Sequence, residues 1–339
     1  MLFLKHPTNT CQPSHVLPLS PIYGGTLSVA DRRLLNIFSL FEETRKTSAA
    51  SLLTRSVSGS DEPLDVLLNL DPTSVLRACL FFPSWRKLDD LGHHLDTTHP
   101  LDAQICDPVF VILLIAHVLA TRRLSSTSQL VQLFRTNVVS LLIRSLSSRN
   151  HLLRDTCVAQ ISAIMDALQV RLVFFVGESD LTALQKDVDM QEKPHVLYIL
   201  HLLKNVLKEP IEEGPTQRLP SFSTLLLSHA LRGVFYPEHF IYPLTARFLL
   251  QRPELDTTDV PMLYSMLYSS SDDWKKERSW ILKFLADAML SPGDEEWRIF
   301  KRRHTWDLLA GLFQSGRQDR TLRNEILEAR PRFGFRSSR

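Results

Sequence analysis

Aspartate and proline mark the starts of helices in this chain more clearly than any other feature of its sequence. At Asp71-Pro72 and Asp107-Pro108, a side chain that caps free helix amides precedes a residue whose φ is already helical. An apolar stripe with helical spacing follows each pair. Further stripes begin near Pro194, Pro220, Pro237 and Pro261. These signals predict an all-α chain, with helices of roughly 10–20 residues joined mostly by short turns.

Several of the predicted helices have distinct boundaries. Ser28 followed by Asp31 resembles a capping box and predicts a helix that runs to about Lys46. Residues 126–147 carry a continuous apolar stripe and predict a single helix. Ser271 is predicted to cap a long helix, with Asp272 and Lys276 paired in its first turns. The stripe of that helix is Ile281, Phe284, Leu285, Ala288 and Met289.

The apolar stripes also predict how the helices associate. Helix pairs that cannot bury their stripes alone stack on their neighbours, as in HEAT and armadillo arrays. We therefore expect an irregular α-solenoid over residues 28–329, which can divide near residues 177–193. Four prolines and a Gly-Gly pair predict an extended lead-in over residues 1–27, and residues 330–339 form a basic tail.

Composition narrows the classes of function. The net charge of the whole chain is +2, so the sequence lacks the overall basic charge of many nucleic-acid-binding proteins. The four cysteines are isolated, which is typical of proteins in a reducing compartment. The longest apolar run, residues 109–120, is shorter than the ~20 residues needed to span a bilayer. We expect no membrane segment, no cofactor and no small-molecule substrate.

The sequence motifs of common enzymes are absent. The chain contains no GxxxxGK[ST], GxGxxG, HExxH or GxSxG motif, and we therefore expect no catalytic residues. A histidine-rich stretch is the one candidate for metal binding, because imidazole and carboxylate groups bind zinc. It contains His93, His94 and His99 with Asp90 and Asp96, but their spacing fits no known zinc motif. A solvated loop is the favoured interpretation.

A basic cluster near the C-terminal end is the main candidate binding site. From Trp274 onward the chain has 15 Lys and Arg against 9 Asp and Glu. The cluster follows Trp297 and Phe300, and such a combination can bind RNA phosphates and stack a base. The alternative is an ordinary helix end, at which cations complement the helix dipole. The candidate RNA- or partner-binding residues are Lys301, Arg302, Arg303, Arg317, Arg320 and Trp274, and Arg323 could extend the set.

Several segments, taken in order, carry a resemblance to a known family. They are residues 21–31, 70–83, 106–110, 197–200, 218–221, 237–239 and 247–250, followed by Val260-Pro261-Met262-Leu263-Tyr264 and Glu277-Arg278-Ser279-Trp280-Ile281-Leu282. In order and spacing this set resembles the C-terminal region of the nucleolar pre-ribosomal-associated protein family, the large Npa/Urb-type scaffolds of early 60S assembly. Members of that family are far longer than this chain, and the tail from Arg330 onward matches no part of the pattern.

The resemblance implies a helical scaffold without catalytic residues that acts in the nucleolus on pre-60S particles. It implies association with early assembly factors, including a DEAD-box helicase, and with pre-rRNA. Two alternatives remain open. One is an armadillo-like protein-interaction module outside ribosome assembly, and the other is an enzyme of an unfamiliar type, which would need a deep polar pocket.

Overall fold

The chain folds into α-helices, as a computed structural model shows. It describes residues 6–46, 62–84, 86–88, 105–121, 124, 126–173, 190–207, 215–252, 254–290, 292–315 and 319–329. Within these ranges there is no β-strand, only an isolated antiparallel bridge between Thr26 and Cys106. The all-α class predicted from the sequence is therefore confirmed.

The described residues form seventeen α-helices. They are α1 Pro7–Thr10, α2 Pro13–Val16, α3 Val29–Arg45, α4 Pro63–Leu68, α5 Pro72–Leu80, α6 Pro108–Ala120, α7 Thr127–Arg135, α8 Val138–Ser145, α9 His151–Val173, α10 Lys193–Val206, α11 Ser221–Phe235, α12 Ile241–Leu250, α13 Leu263–Leu267, α14 Trp274–Ala288, α15 Asp294–Arg302, α16 Thr305–Ser315 and α17 Arg320–Ala329. A 3-10 helix, Leu17–Ile22, follows α2. The chain divides into two compact units, residues 1–193 (unit 1) and 194–339 (unit 2).

Helix α6 is central to unit 1. It packs against α4, α8 and α9, and α8 in turn packs against α5 and α7. Because α6 is apolar on nearly all sides, burial on several faces removes most of its side chains from water, as its sequence predicts. The packing of each helix on close neighbours in the sequence is that of a solenoid-like fold.

A buried ion pair holds the start of α6. Asp107 accepts hydrogen bonds from Arg86 Nε at 3.1 Å and Arg86 Nη2 at 2.7 Å, and both side chains are almost completely buried. The same carboxylate accepts from the hydroxyl of Tyr23 at 3.0 Å and from the amide of Val109 at 3.1 Å. Asp107 therefore caps its helix, as predicted, and also joins three segments of unit 1.

The loop before α3 is fitted closely to α6. Gly25 has φ +67°, and a Cβ at this position would lie 2.7 Å from the Phe110 ring. Only glycine satisfies both the left-handed backbone and the close approach. Ser28 caps α3 through the Asp31 amide at 3.2 Å. The Asp31 carboxylate, however, accepts from the amides of Gly24 and Thr26 instead of completing a capping box.

Two predictions for unit 1 were wrong. The lead-in, predicted to be extended, contains α1, α2 and the 3-10 helix, because single helical turns satisfy backbone groups between its prolines. The single helix predicted over residues 126–147 is two helices, α7 and α8. Asn137 separates them with φ 63°, and its side-chain amide donates to the Pro72 carbonyl at 3.0 Å. The helix is therefore interrupted at Asn137, where a tertiary hydrogen bond forms, although the apolar stripe continues past this residue.

Helix α11 is the most buried helix of unit 2 and packs against α12 and α14. It begins after Pro220, as predicted. The predicted stripe of α14 is buried throughout, from Ile281 to Met289. Helix α14 also packs against α13 and α17, while α16 packs against α15 and α17.

Two helix starts and one ion pair in unit 2 differ from the predictions. Helix α12 begins at Ile241 and not at Pro237, because residues 236–240 form turns first. Helix α14 begins at Trp274, and the Ser271 hydroxyl donates to Glu277 Oε1 at 2.5 Å instead of capping the helix. Lys276 pairs with Asp273 at 2.8 Å rather than with Asp272.

A second buried ion pair holds two helix starts of unit 2. Glu296 is completely buried and accepts from Arg218 Nη2 at 2.7 Å and Nη1 at 3.1 Å. It also accepts from the amide of Ser221 at 2.9 Å, in the first turn of α11, and of Gly293 at 2.7 Å, before α15. Burial would raise the pKa of Glu296, but the hydrogen bonds and charge of Arg218 and the two amides outweigh it, so the pKa is lowered.

Candidate functional site

One concavity of unit 2 is a groove lined by both apolar and charged residues. It has a volume of about 540 Å³ and lies between α12, residues 254–262 and α13, with Glu277 of α14 also lining it. Its apolar residues are Leu244, Phe248, Val260, Pro261, Met262, Leu263 and Met266. Its charged residues are Arg247, Arg252, Asp256, Asp259 and Glu277. We call this concavity the α12–α13 groove.

The basic cluster predicted from the sequence meets this groove through an ion pair. Arg303 follows α15 and forms two hydrogen bonds with the carboxylate of Asp259. Hydrogen bonding to Asp259 raises the pKa of Arg303 above its ordinary value. The hydroxyl of Tyr264 donates to the Arg303 carbonyl at 3.2 Å, and the Arg303 guanidinium lies 6.0 Å from the Tyr264 ring centre. Arg303 is therefore a structural link between the α15–α16 turn and the groove.

Arg302 and Lys301 have more freedom than Arg303. Arg302 is exposed and donates to the Thr258 hydroxyl at 3.3 Å, at the edge of the groove. Thr258 also donates to Asp256, from its amide and its hydroxyl, each at 2.8 Å. Burial would raise the pKa of Asp256, but these hydrogen bonds and the charges of Arg302 and Arg303 lower it. Lys301 is exposed, and its ammonium group forms no hydrogen bond or ion pair with the described residues.

Trp274 is half-buried at the start of α14 and is not an open aromatic surface. The guanidinium of Arg278 lies 4.5 Å from its ring centre, and the ammonium of Lys275 lies 5.3 Å away. Arg278 also donates to the Leu267 carbonyl at 2.8 Å, which fixes its position against the end of α13. The cations on the Trp274 ring compete with any base that would stack there.

The other predicted site residues do not join this cluster. Arg320 is exposed at the first residue of α17 and has no hydrogen bond or ion pair with Arg302, Arg303 or Asp259. Arg317 lies outside the described residues, as do the histidines 93, 94 and 99. Arg323 lies over the Phe313 ring at 4.6 Å. Over the described ranges, no group of three or more His, Cys, Asp or Glu side chains is placed to hold a metal ion.

Sequence reasoning missed the arginines of α12 and the segment after it. Arg247 and Arg252 line the groove, and the Arg252 guanidinium lies 4.0 Å from the Phe248 ring centre. Both lie near the C-terminal end of α12, where cations are ordinary, so the sequence offered no distinctive signal.

Among the described helices, none has the length and apolar composition that crossing a bilayer requires.

Comparison with known proteins places these features in one family. The sequence model described as nucleolar pre-ribosomal-associated protein 1 matches residues 139–330, which include the whole groove. A mouse (Mus musculus) protein of that name is 24% identical over 344 residues, and a human (Homo sapiens) protein of the same name is 22% identical over 343 residues. Each match covers 94% of this chain and 14% of the relative. No solved structure matches the chain significantly.

Proposed function

Because this chain belongs to the nucleolar pre-ribosomal-associated protein 1 family, we propose that it acts in the nucleolus as a non-catalytic helical scaffold in ribosome biogenesis. More specifically, it takes part in assembly of the large (60S) subunit and in pre-rRNA processing. It binds pre-60S assembly factors, among them a DEAD-box helicase, and contacts pre-rRNA. The family match over residues 139–330 is the observation that carries this proposal.

The distribution of charge in unit 2 supports a binding role. Lys301 and Arg302 are exposed and lie beside a groove that has apolar and basic residues. Surface cations of this kind attract phosphates and acidic proteins. Arg303 does not belong to this set, because its charge is already paired with Asp259.

Affinity purification of the tagged full chain from nucleolar extract tests the proposed function. We expect the chain to bring down pre-60S assembly factors, including a DEAD-box helicase, together with precursors of the large-subunit rRNA. Recovery of partners from another pathway, without ribosomal precursors, would support the armadillo-like alternative instead.

A narrower experiment tests the RNA contact of the basic cluster. We expect the double variant Lys301→Glu/Arg302→Glu to bind single-stranded RNA more weakly. The slope of log affinity against log salt should fall by about 0.7 for each lost phosphate contact. Lys283→Glu is the matched control, because Lys283 is exposed on α14 and has no ion pair with the described residues. Equal affinities for the control and the double variant would exclude these two residues from RNA binding.

A further inference from the structure

The α12–α13 groove combines unpaired guanidinium groups with an apolar lining. Arg247 is exposed, and no hydrogen bond or ion pair joins its side chain to the described residues. Arg252 is exposed too, and the one hydrogen bond that its side chain forms with the described residues is the donation from Nη1 to the Phe248 carbonyl at 3.3 Å. A guanidinium has five N–H donors, so both arginines keep most of their donors for a ligand.

The carboxylates of the groove are already engaged by the protein. Asp259 forms a two-bond ion pair with Arg303, and Asp256 accepts from the amide and hydroxyl of Thr258. Glu277 is buried and accepts from the Ser271 hydroxyl. The groove therefore presents guanidinium groups with free donors, while its carboxylates already accept hydrogen bonds from the protein and Asp259 is also paired with a cation. An anionic ligand complements it better than a cationic one.

The apolar residues indicate what else the ligand carries. Phe248 and Leu244 are half-buried, and Val260 and Met262, which also line the groove, are buried. A volume of about 540 Å³ lies in the range of small-ligand pockets and accommodates a few side chains. An apolar side chain that entered the groove would remove Phe248 and Leu244 from water. The complementary ligand is therefore both acidic and apolar.

The aromatic rings that line the groove, Phe248 and Tyr264, and the ring of Trp274 on α14 favour a peptide over RNA. A guanidinium lies over Phe248, over Tyr264 and over Trp274, at 4.0, 6.0 and 4.5 Å from the ring centres. Single-stranded RNA is held largely by stacking of its bases on free aromatic faces. Because arginine occupies one face of each ring, base stacking is disfavoured here, whereas an acidic peptide needs only the guanidinium donors and the apolar lining.

We propose that the α12–α13 groove binds a short acidic segment of a partner protein, with carboxylates on Arg247 and Arg252 and an apolar side chain against Phe248. This inference rests on the proposed scaffold function and assigns a docking surface to it. The segment is recognised by its chemistry, acidic residues flanking one or two large apolar residues, as in other peptide-recognition grooves.

Fluorescence anisotropy with the full chain tests this proposal. The probe is a short labelled peptide in which glutamates flank a leucine and a phenylalanine, and its counterpart carries lysines in place of the glutamates. We expect the acidic peptide to bind and the basic one not to. Binding should weaken roughly tenfold in Arg247→Glu, stay near the original value in Arg247→Lys, and weaken with added salt.

Matched controls keep the outcome interpretable. Lys283→Glu changes the charge by the same amount on α14 and should leave binding unchanged. Because Arg247 and Lys283 are both exposed, neither substitution should alter the thermal unfolding transition. Equal binding of both peptides, equal loss in Arg247→Glu and Lys283→Glu, or binding of oligouridylate but not the acidic peptide would each overturn the proposal.

The failure of this inference can be told apart from the failure of the proposed function. If the acidic peptide does not bind but the tagged chain still recovers pre-60S factors, the groove assignment is wrong and the scaffold function stands. If the peptide binds and the tagged chain recovers no ribosomal precursors, the scaffold function is wrong and the groove serves another partner.

Discussion

In the described part of each unit an arginine–carboxylate ion pair lies at a helix start with its carboxylate buried, but the two carboxylates have different further partners. In unit 1, Asp107 binds Arg86 and also the hydroxyl of Tyr23, a group that can lose a proton. In unit 2, Glu296 binds Arg218 and two backbone amides, and none of these groups loses a proton in the ordinary pH range. Arg218 is 20% exposed, whereas Arg86 is 2% exposed. Both pairs organise their unit, and they should respond to pH in opposite ways.

The direction of each response follows from the pKa shifts. Burial and the negative charge of Asp107 raise the pKa of Tyr23 well above its ordinary value. A raised pKa means that stability is present at neutral pH and is lost as pH rises beyond about 10, where the unfolded tyrosine ionises. The lowered pKa of Glu296 means that stability is lost as pH falls below about 4.3. Unit 1 should weaken in alkali and unit 2 in acid.

The sequence provides separate reporters for the two units. All four cysteines, Cys11, Cys79, Cys106 and Cys157, belong to unit 1 and are buried. Burial raises the pKa of the Cys106 thiol to about 12, so folded unit 1 should react slowly with thiol reagents. Four of the five tryptophans belong to unit 2, namely Trp274, Trp280, Trp297 and Trp306. Thiol labelling therefore reports on unit 1, and tryptophan fluorescence reports mainly on unit 2.

The largest effect is expected from Arg86→Ala, which leaves the buried Asp107 carboxylate without its cation. Breaking a buried ion pair in this way costs about 3–5 kcal/mol. Thiol labelling should accelerate strongly, while the denaturant midpoint of tryptophan fluorescence should change little. Arg33→Ala, an exposed substitution on α3, should leave both signals unchanged. A large shift in fluorescence alone would contradict the separation of the two ion pairs.

A smaller effect of the same kind is expected from Glu296→Gln in unit 2. The amide keeps the size of the side chain but weakens the bonds to Arg218, Ser221 and Gly293, at a cost of about 1.5–3 kcal/mol. Here the fluorescence midpoint should fall and thiol labelling should not change. Glu295→Gln is the control, because its pair with Arg298 at 3.5 Å lies on the surface and contributes little. Equal shifts in the two variants would refute the special role of Glu296.

The acid response of unit 2 gives the next prediction. In the parent chain the fluorescence midpoint should fall as pH decreases from about 5 toward 3, because the lowered pKa of Glu296 makes the folded state lose stability in this range. Glu296→Gln cannot titrate and should show a flatter dependence over the same range. Denaturant titrations at several pH values measure both slopes. Parallel curves for the two proteins would show that another carboxylate carries the acid response.

The loss of stability of unit 1 at high pH is the counterpart of the acid response of unit 2. The variant Tyr23→Phe tests it. The variant loses one hydrogen bond to Asp107, which costs about 1 kcal/mol at neutral pH. It should then lose less stability than the parent as pH rises above about 10. The dependence should be reduced and not abolished, because burial also raises the pKa of Cys106 and Cys157. Circular dichroism is the suitable measurement, because thiol labelling itself varies with pH.

The smallest effect is a stabilisation of unit 2 alone by Gly311→Ala. Gly311 is exposed in α16, and a Cβ at this position would meet no atom within 4 Å. Alanine should raise the stability of the helix by about 0.5–1 kcal/mol, measured from the fluorescence midpoint. Gly293→Ala should do the opposite, because its Cβ would lie 2.9 Å from Arg218 Nη1. A gain in both variants would mean that the Arg218 site tolerates the added methyl group.

Local patterns in the sequence predicted the helices but not the side chains that join them. Asp107 was recognised as a helix start because its signal lies within three residues. Arg86 was missed, because it precedes Asp107 by 21 residues within a polar stretch that has no periodic pattern. Asn137 shows the same limit, since the carbonyl that holds its side chain belongs to Pro72.

The groove was missed for the same physical reason. Asp259 lies just before the stripe predicted near Pro261, but its partner Arg303 lies 44 residues further along the chain. The basic cluster was found from composition alone, and composition could not show that Arg303 is paired while Arg302 is exposed. The two groove arginines, Arg247 and Arg252, carry no motif, and only the packing of α12 beside residues 254–262 reveals them.

The position of Glu296 in the chain has a consequence for the order in which unit 2 folds during synthesis. Ser221 and Glu296 are 75 residues apart, so α11 leaves the ribosome well before the acceptor of its first amide has been made. Arg218 likewise cannot form its ion pair with Glu296 until α15 has emerged from the ribosome. The N-terminal end of α11 therefore completes its hydrogen bonds late, after a long-range contact closes. A nascent chain that stalled between α11 and α15 would expose this end to chaperones and proteases.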